Sequence, residues 1–237
     1  MRQHVSVLML FVRSTLYKLL LIVFVMAAAE SVLFALALRS AEGYFGLDTI
    51  LRASRPQSVC AVCFLLLCAL MCLTGCEFGS KQGYTLARLR ISHKMIFFWQ
   101  IVNNAGLLLL FWAAQVGIVL AFCGVYTAQY PQPQAAVLVF YANGFLHSLL
   151  PLAETGRLIC NMILLASLAV TSACFPVRMR RGEKPMAFFA VMLLCVPLFI
   201  RETGSVGADV TLSIIAIGLS AFAAYGAGKE VYDEALS

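Results

Sequence analysis

The chain has 237 residues, of which 62% are hydrophobic and only 12% charged, with a mean hydropathy of +0.92. Soluble domains are roughly 45–50% apolar, so this composition excludes a soluble globular protein; the repeated apolar runs, about 20 residues each and continuous rather than alternating, exclude a single anchor and a barrel. The formal net charge of +6 does not mark a nucleic-acid binder, because the basic residues sit in short connections between apolar runs, with no basic arm and no aromatic-basic module.

The expectation is an all-α, polytopic membrane protein: a single transmembrane domain over residues 1–237 with six transmembrane helices in the lipid bilayer of the cell membrane. Arg2, His4, Arg13 and Lys18 surround an apolar stretch too short to span, which predicts an interfacial helix over 4–16. The first span follows at about 19–38. MAAAES at 26–31 has the small residues of a signal-peptide cleavage site, but apolar residues resume at Val32–Leu38 and complete a full span. Polar residues 39–57 lead to a second span at about 58–75. A third, about 95–126, opens with Trp99, Gln100, Asn103 and Asn104.

The segment 135–150 is apolar but broken by Asn143, Gly144 and His147, and is predicted as an outer-face or re-entrant helix rather than a span. The fourth span is about 158–175. The densest basic cluster, Arg178, Arg180, Arg181 and Lys184, comes next. The fifth run, 186–200, is short and crosses if its flanks dip inward or the bilayer thins; the sixth occupies about 210–228.

With six spans, both termini share one side. Twelve Lys/Arg fall on that side (Arg2, Arg13, Lys18, Lys81, Arg88, Arg90, Lys94, Arg178, Arg180, Arg181, Lys184, Lys229) and five on the other (Arg39, Arg52, Arg55, Arg157, Arg201). The positive-inside rule then makes both termini cytoplasmic. A further crossing at 135–150 would send the 178–184 cluster outside.

Glu30 lies deep in the first span, where an acid costs about 2.5–3.5 kcal/mol on insertion scales and marks a functional position by default. Asn103, Asn104 and Gln115 of the third span either partner it, line the same translocation path or, for the two asparagines, mark the interface. Ala216, Ser220, Ala224 and Gly228 form a small-residue ladder, a packing face for an internal helix or a second subunit. Of the nine cysteines, Cys60, Cys63, Cys68, Cys72 and Cys76 share one apolar run and read as small buried hydrophobes. No metal site is expected: the C-x-x-C lacks His or carboxylate partners, and His147 with Glu154 is too small a set. No catalytic residue is expected either, since H-E-x-x-H, G-x-S-x-G and a phosphate loop are all missing from the sequence.

The longest polar interruption is EFGSKQGYTLARLRISHK, 77–94. Gly79, Ser80 and Gly83 end the preceding helix, and a short amphipathic helix over about 81–92 follows. With its Glu77, Gly83, Tyr84, Thr85, Leu86, Leu89, Arg90, Ile91 and Ser92, this stretch resembles the first cytoplasmic loop of ABC-2 type exporter permeases, as do the six-span layout and the basic N-terminal helix. The resemblance implies a permease subunit whose coupling helix sits in a cleft of a separate ATPase, with Glu77, Lys81, Gly83, Tyr84, Thr85, Leu86, Arg88, Leu89 and Arg90 as the contact. It further implies a second permease subunit, identical or not, and ATP with Mg held by the ATPase rather than by this chain, which has no cofactor of its own. The chain departs from the pattern in having no proline turn at 89–92 and no room for paired outer helices at 201–209. Two other functions suit the same residues: an ATP-independent carrier built on Glu30, and a membrane sensor or immunity protein that transports nothing.

Overall fold

A computed structural model describes residues 2–40, 46–75, 93–129, 143–151, 154–180, 182–200 and 205–233. All regular structure in them is helical: α1 (Arg2–Ser40), α2 (Leu47–Ser54), α3 (Pro56–Gly75), α4 (His93–Gln129), α5 (Gly144–Leu149), α6 (Thr155–Arg180), α7 (Met186–Ile200) and α8 (Val206–Asp233). Five of them, α1, α3, α4, α6 and α8, are long and apolar enough to cross a membrane. α7 is as apolar but has only 15 residues, about 22 Å of helix against a hydrocarbon core of about 30 Å.

The side-chain distribution is that of a protein solvated by lipid. Leu20, Leu21, Phe24 and Val25 of α1, and Ile214, Phe222 and Tyr225 of α8, point outward, while Glu30, Gln115, Asn104 and Arg157 are buried. Outward apolar surface costs nothing in hydrocarbon, and inward polar groups find partners on neighbouring helices. The core between the helices is apolar and close-packed around Met26, Phe64, Leu67, Met71, Leu108, Phe111 and Leu168.

Paired contacts give the helix directions. Glu30 meets Gln115, and Phe34 stacks on Phe122 with ring centroids 4.6 Å apart, so α1 and α4 are parallel. Phe64 of α3 lies beside Phe111 while Cys60 and Cys63 lie near Glu30, so α3 runs against both. Asn104 bonds Ser172 near the end of α6, whereas Trp112 reaches Leu149 just before α6 begins; α4 and α6 are antiparallel. α6 and α8 are parallel: Arg157 pairs with Asp209 at their starts, and Arg178 lies over Phe222 further along.

α7 runs back between those two parallel helices, packed on α6, α8, α3 and α5. The reversal into it is a Schellman turn: Gly182, at φ +72°, donates its N–H to Met179 O, and Glu183 donates to Arg178 O. Only glycine adopts this left-handed backbone without a Cβ penalty. Phe188 then meets Phe175 edge-on at 5.5 Å.

Several expected boundaries differ. α1 is one continuous helix, without a break between an interfacial 4–16 and a span from 19, and Phe11, Thr15 and Leu19 along it are buried. Residues 39–57 are not merely polar connection, since Leu47, Ile50 and Leu51 of α2 pack into the core and Arg55, in the left-handed region at φ 47°, joins α2 directly to Pro56 at the start of α3. Of the predicted helix 135–150, residues 135–142 lie outside the described residues and 144–149 are helical. The coupling helix over 81–92 lies outside the described residues.

Candidate functional site

Polar side-chain contacts link the long helices inside the bundle. The first joins α1 to α4. Glu30 sits on the inward face of α1 with Met26 and Phe34, and Gln115 continues the inward face of α4 that carries Leu108, Phe111 and Val119, as 3.6-residue periodicity requires. Gln115 Nε2 donates to both carboxyl oxygens of Glu30, at 3.0 and 3.2 Å. The two side chains are 0% and 1% exposed respectively. Gln115 Oε1 is buried and accepts no hydrogen bond. An unmatched buried acceptor of this kind is uncommon in folded proteins.

The second contact is an amide–hydroxyl chain between α4 and α6. Asn103 Nδ2 donates to Asn104 Oδ1 at 3.5 Å, Asn104 Nδ2 to Ser172 Oγ at 2.9 Å, and Ser172 Oγ to Ala169 O at 2.9 Å. Both asparagines are buried, so they do not simply mark a wet interface. Nor do they join Glu30. Asn104 and Gln115 are about 16 Å apart along the helix, and Leu108 and Phe111 fill the face between them.

The third is the ion pair of Arg157 and Asp209, in the first turns of α6 and α8, both buried. It joins residues of two segments, 157 and 201–209, expected to be connections. The signal was present: a cation and an anion each stood at the start of an apolar run that begins on the same side of the bilayer. Nearby, α5 is held by its backbone, with Trp112 Nε1 donating to Leu149 O at 2.8 Å and Asn161 Nδ2 to Ser148 O at 2.9 Å. Asn143 caps α5 by accepting from Phe145 N–H and donates to Asp48, so α2 and α5 meet at one end of the bundle.

The small-residue ladder is only partly the packing face. Ala216 is buried, but the seam continues through Ala223 and Ala227, while Ser220 and Ala224 are half-buried; Gly228 lies within α8. Gly226 has a separate role. A Cβ built there would stand 2.8 Å from the Arg178 guanidinium, which lies 5.3 Å from the Phe222 ring centre. Alanine there needs only a small shift of a flexible side chain, but Gly226→Leu should evict Arg178 from Phe222 and cost about 1–3 kcal/mol by overpacking, measured as a lower unfolding midpoint in detergent.

Of the remaining sequence-derived site residues, the ATPase-contact set Glu77, Lys81, Gly83, Tyr84, Thr85, Leu86, Arg88, Leu89 and Arg90 lies outside the described residues. No group of three or more His, Cys, Asp or Glu able to hold a metal ion occurs among the described residues.

Apolar helices facing outward and polar groups paired within define a polytopic, all-helical membrane protein, with a shape consistent with a transport-type protein. Comparison with family models, with curated proteins and with solved structures gives no match for this chain.

Proposed function

We propose that this chain is the transmembrane permease subunit of an ATP-binding cassette transporter of the ABC-2 exporter type. It pairs with a second permease subunit and is driven by cytoplasmic ATPase subunits that bind ATP and Mg. The chain itself catalyses no chemistry; it is a two-state element biased by nucleotide in its partner.

The observation that carries the reading is the parallel pairing of α6 and α8 at two levels along their length. Helices that start on the same side require the segment between them to return, which supports a crossing by α7 despite its 15 residues. Six alternating helices then put residues 77–94 on the side of both termini and of the 178–184 cluster. That side holds most of the Lys and Arg and is cytoplasmic by the positive-inside rule. The polar stretch that resembles a coupling helix therefore faces the compartment where an ATPase would be.

The test is affinity purification in mild detergent from the native membrane. A protein carrying a phosphate-binding GxxxxGK[ST] loop should co-purify in stoichiometric amount. Its absence from preparations whose circular dichroism remains fully helical overturns the proposal.

A further inference from the structure

We infer that Glu30 and Gln115 form an occluded proton-binding site at the seam of α1, α3 and α4. This goes beyond the permease reading and does not depend on it. Among the described residues the Glu30 carboxyl receives hydrogen bonds from Gln115 alone, and the same amide leaves its Oε1 buried without a donor. A proton supplies what is missing. The neutral carboxyl donates its O–H to Gln115 Oε1 while the amide N–H remains on the other carboxyl oxygen, so acid and amide satisfy one another as a closed pair. No other cation suits the site as well, because metal ions of the hard class need several oxygen ligands and the neighbouring helix carbonyls are already used within the helices.

The charged and titratable surroundings fit an uncharged occupied state. Three elements pack on α1. α3 presents the Cys60 and Cys63 thiols, α4 presents the uncharged Gln115, and α2 carries Asp48 and Arg52, paired with each other at 3.0 Å. None of these offers Glu30 a positive partner.

The site is closed on both sides by apolar side chains. Towards the start of α4, Leu108 and Phe111 are buried, with Phe64 of α3 beside Phe111 at 6.4 Å. Towards its end, Phe34 and Phe122 stack at 4.6 Å with their planes within 5° of parallel, and Val119 is fully buried between them and Gln115. Water reaches Glu30 only when one of these aromatic contacts parts. One proton per chain is thus held while the two contacts are closed and exchanges when either opens, as carboxylate plus H⁺ in equilibrium with the carboxylic acid.

The experiment is infrared difference spectroscopy on the purified full chain in lipid nanodiscs, without nucleotide or ATPase, at neutral pH. A carboxylic-acid C=O band should be present, be lost in Glu30→Gln, and move to higher frequency in Gln115→Leu, where the acid carbonyl loses its N–H donor. Transfer to D₂O should shift the band slowly in the unaltered chain and several-fold faster in Phe122→Ala. A band that survives in Glu30→Gln, or one indifferent to Gln115→Leu, overturns the site; exchange unchanged in Phe122→Ala overturns the occlusion. Should Glu30→Gln fail to fold, the Gln115→Leu shift decides alone. Since no nucleotide enters the measurement, its failure leaves the permease proposal standing, and failure of ATPase co-purification leaves this one standing.

Discussion

Arg157→Ala is expected to destabilise the protein by about 3–5 kcal/mol, because it removes one charge of a buried ion pair and keeps the other. Both side chains are buried, and the pair fixes the starts of α6 and α8 side by side. Asp209→Ala should cost a similar amount for the reciprocal reason. Removing both charges together, as Arg157→Met with Asp209→Leu, should recover most of the loss, since no uncompensated charge then remains and an apolar pair fills the space. The measurement is unfolding midpoints in detergent, with Arg157→Ala/Asp209→Ala as the double variant that closes the cycle and isolates the interaction between the two positions. A loss in the double alanine variant equal to the sum of the two single losses would show that the pair does not hold these helices together.

The same variants should affect topology. If the pair is what forces α7 to return, a cysteine placed after α7, in 201–205, should become accessible to a membrane-impermeant reagent from the opposite side in a fraction of Arg157→Ala molecules, but not in the double apolar variant.

Combining Gly83→Pro, Leu86→Asp and Leu89→Asp should abolish ATPase-coupled transport while leaving the yield of folded protein close to that of the parent chain. Proline removes a backbone donor and blocks a helix through 83, and two acids on its apolar side would not enter an apolar cleft without partners. None of the bundle contacts described above involves these positions. Reconstitution with the co-purified ATPase, assayed by nucleotide-dependent transport in proteoliposomes, checks this. Full coupled transport by the triple variant would exclude 81–92 as the coupling element and favour a carrier driven from elsewhere in the chain.

The two experiments address different levels of the molecule. The ion pair concerns how the apolar helices become one bundle, and the loop variant tests the proposed coupling to an ATPase. Between them stands Glu30, whose burial against Gln115 connects the packing of α1 on α4 to protonation.

Composition and run length were enough to specify the class. Continuous apolar runs of span length have no stable place except a bilayer, and only helices satisfy their backbone groups there, so an all-helical membrane bundle was legible from composition and run length. Glu30 was legible too, because a lone acid in an apolar run is conspicuous wherever its partner is. Its partner was not: Asn103, Asn104 and Gln115 share one helix, and only the packing of α1 on α4 selects Gln115, while Asn104 is turned to Ser172 of α6. Arg157 and Asp209, set apart by 52 positions, looked like connection residues because charge near the end of an apolar run is ordinary; it took the parallel docking of α6 and α8 to bury them together. Of the ladder positions 216, 220 and 224, only Ala216 is fully buried, for a related reason. Four-residue spacing drifts around a helix of 3.6 residues per turn, and the seam that packs follows Ala216, Ala223 and Ala227. Periodicity along one chain specifies which faces are apolar, but which polar group meets which is a property of helix adjacency, and that is decided only when the helices are assembled.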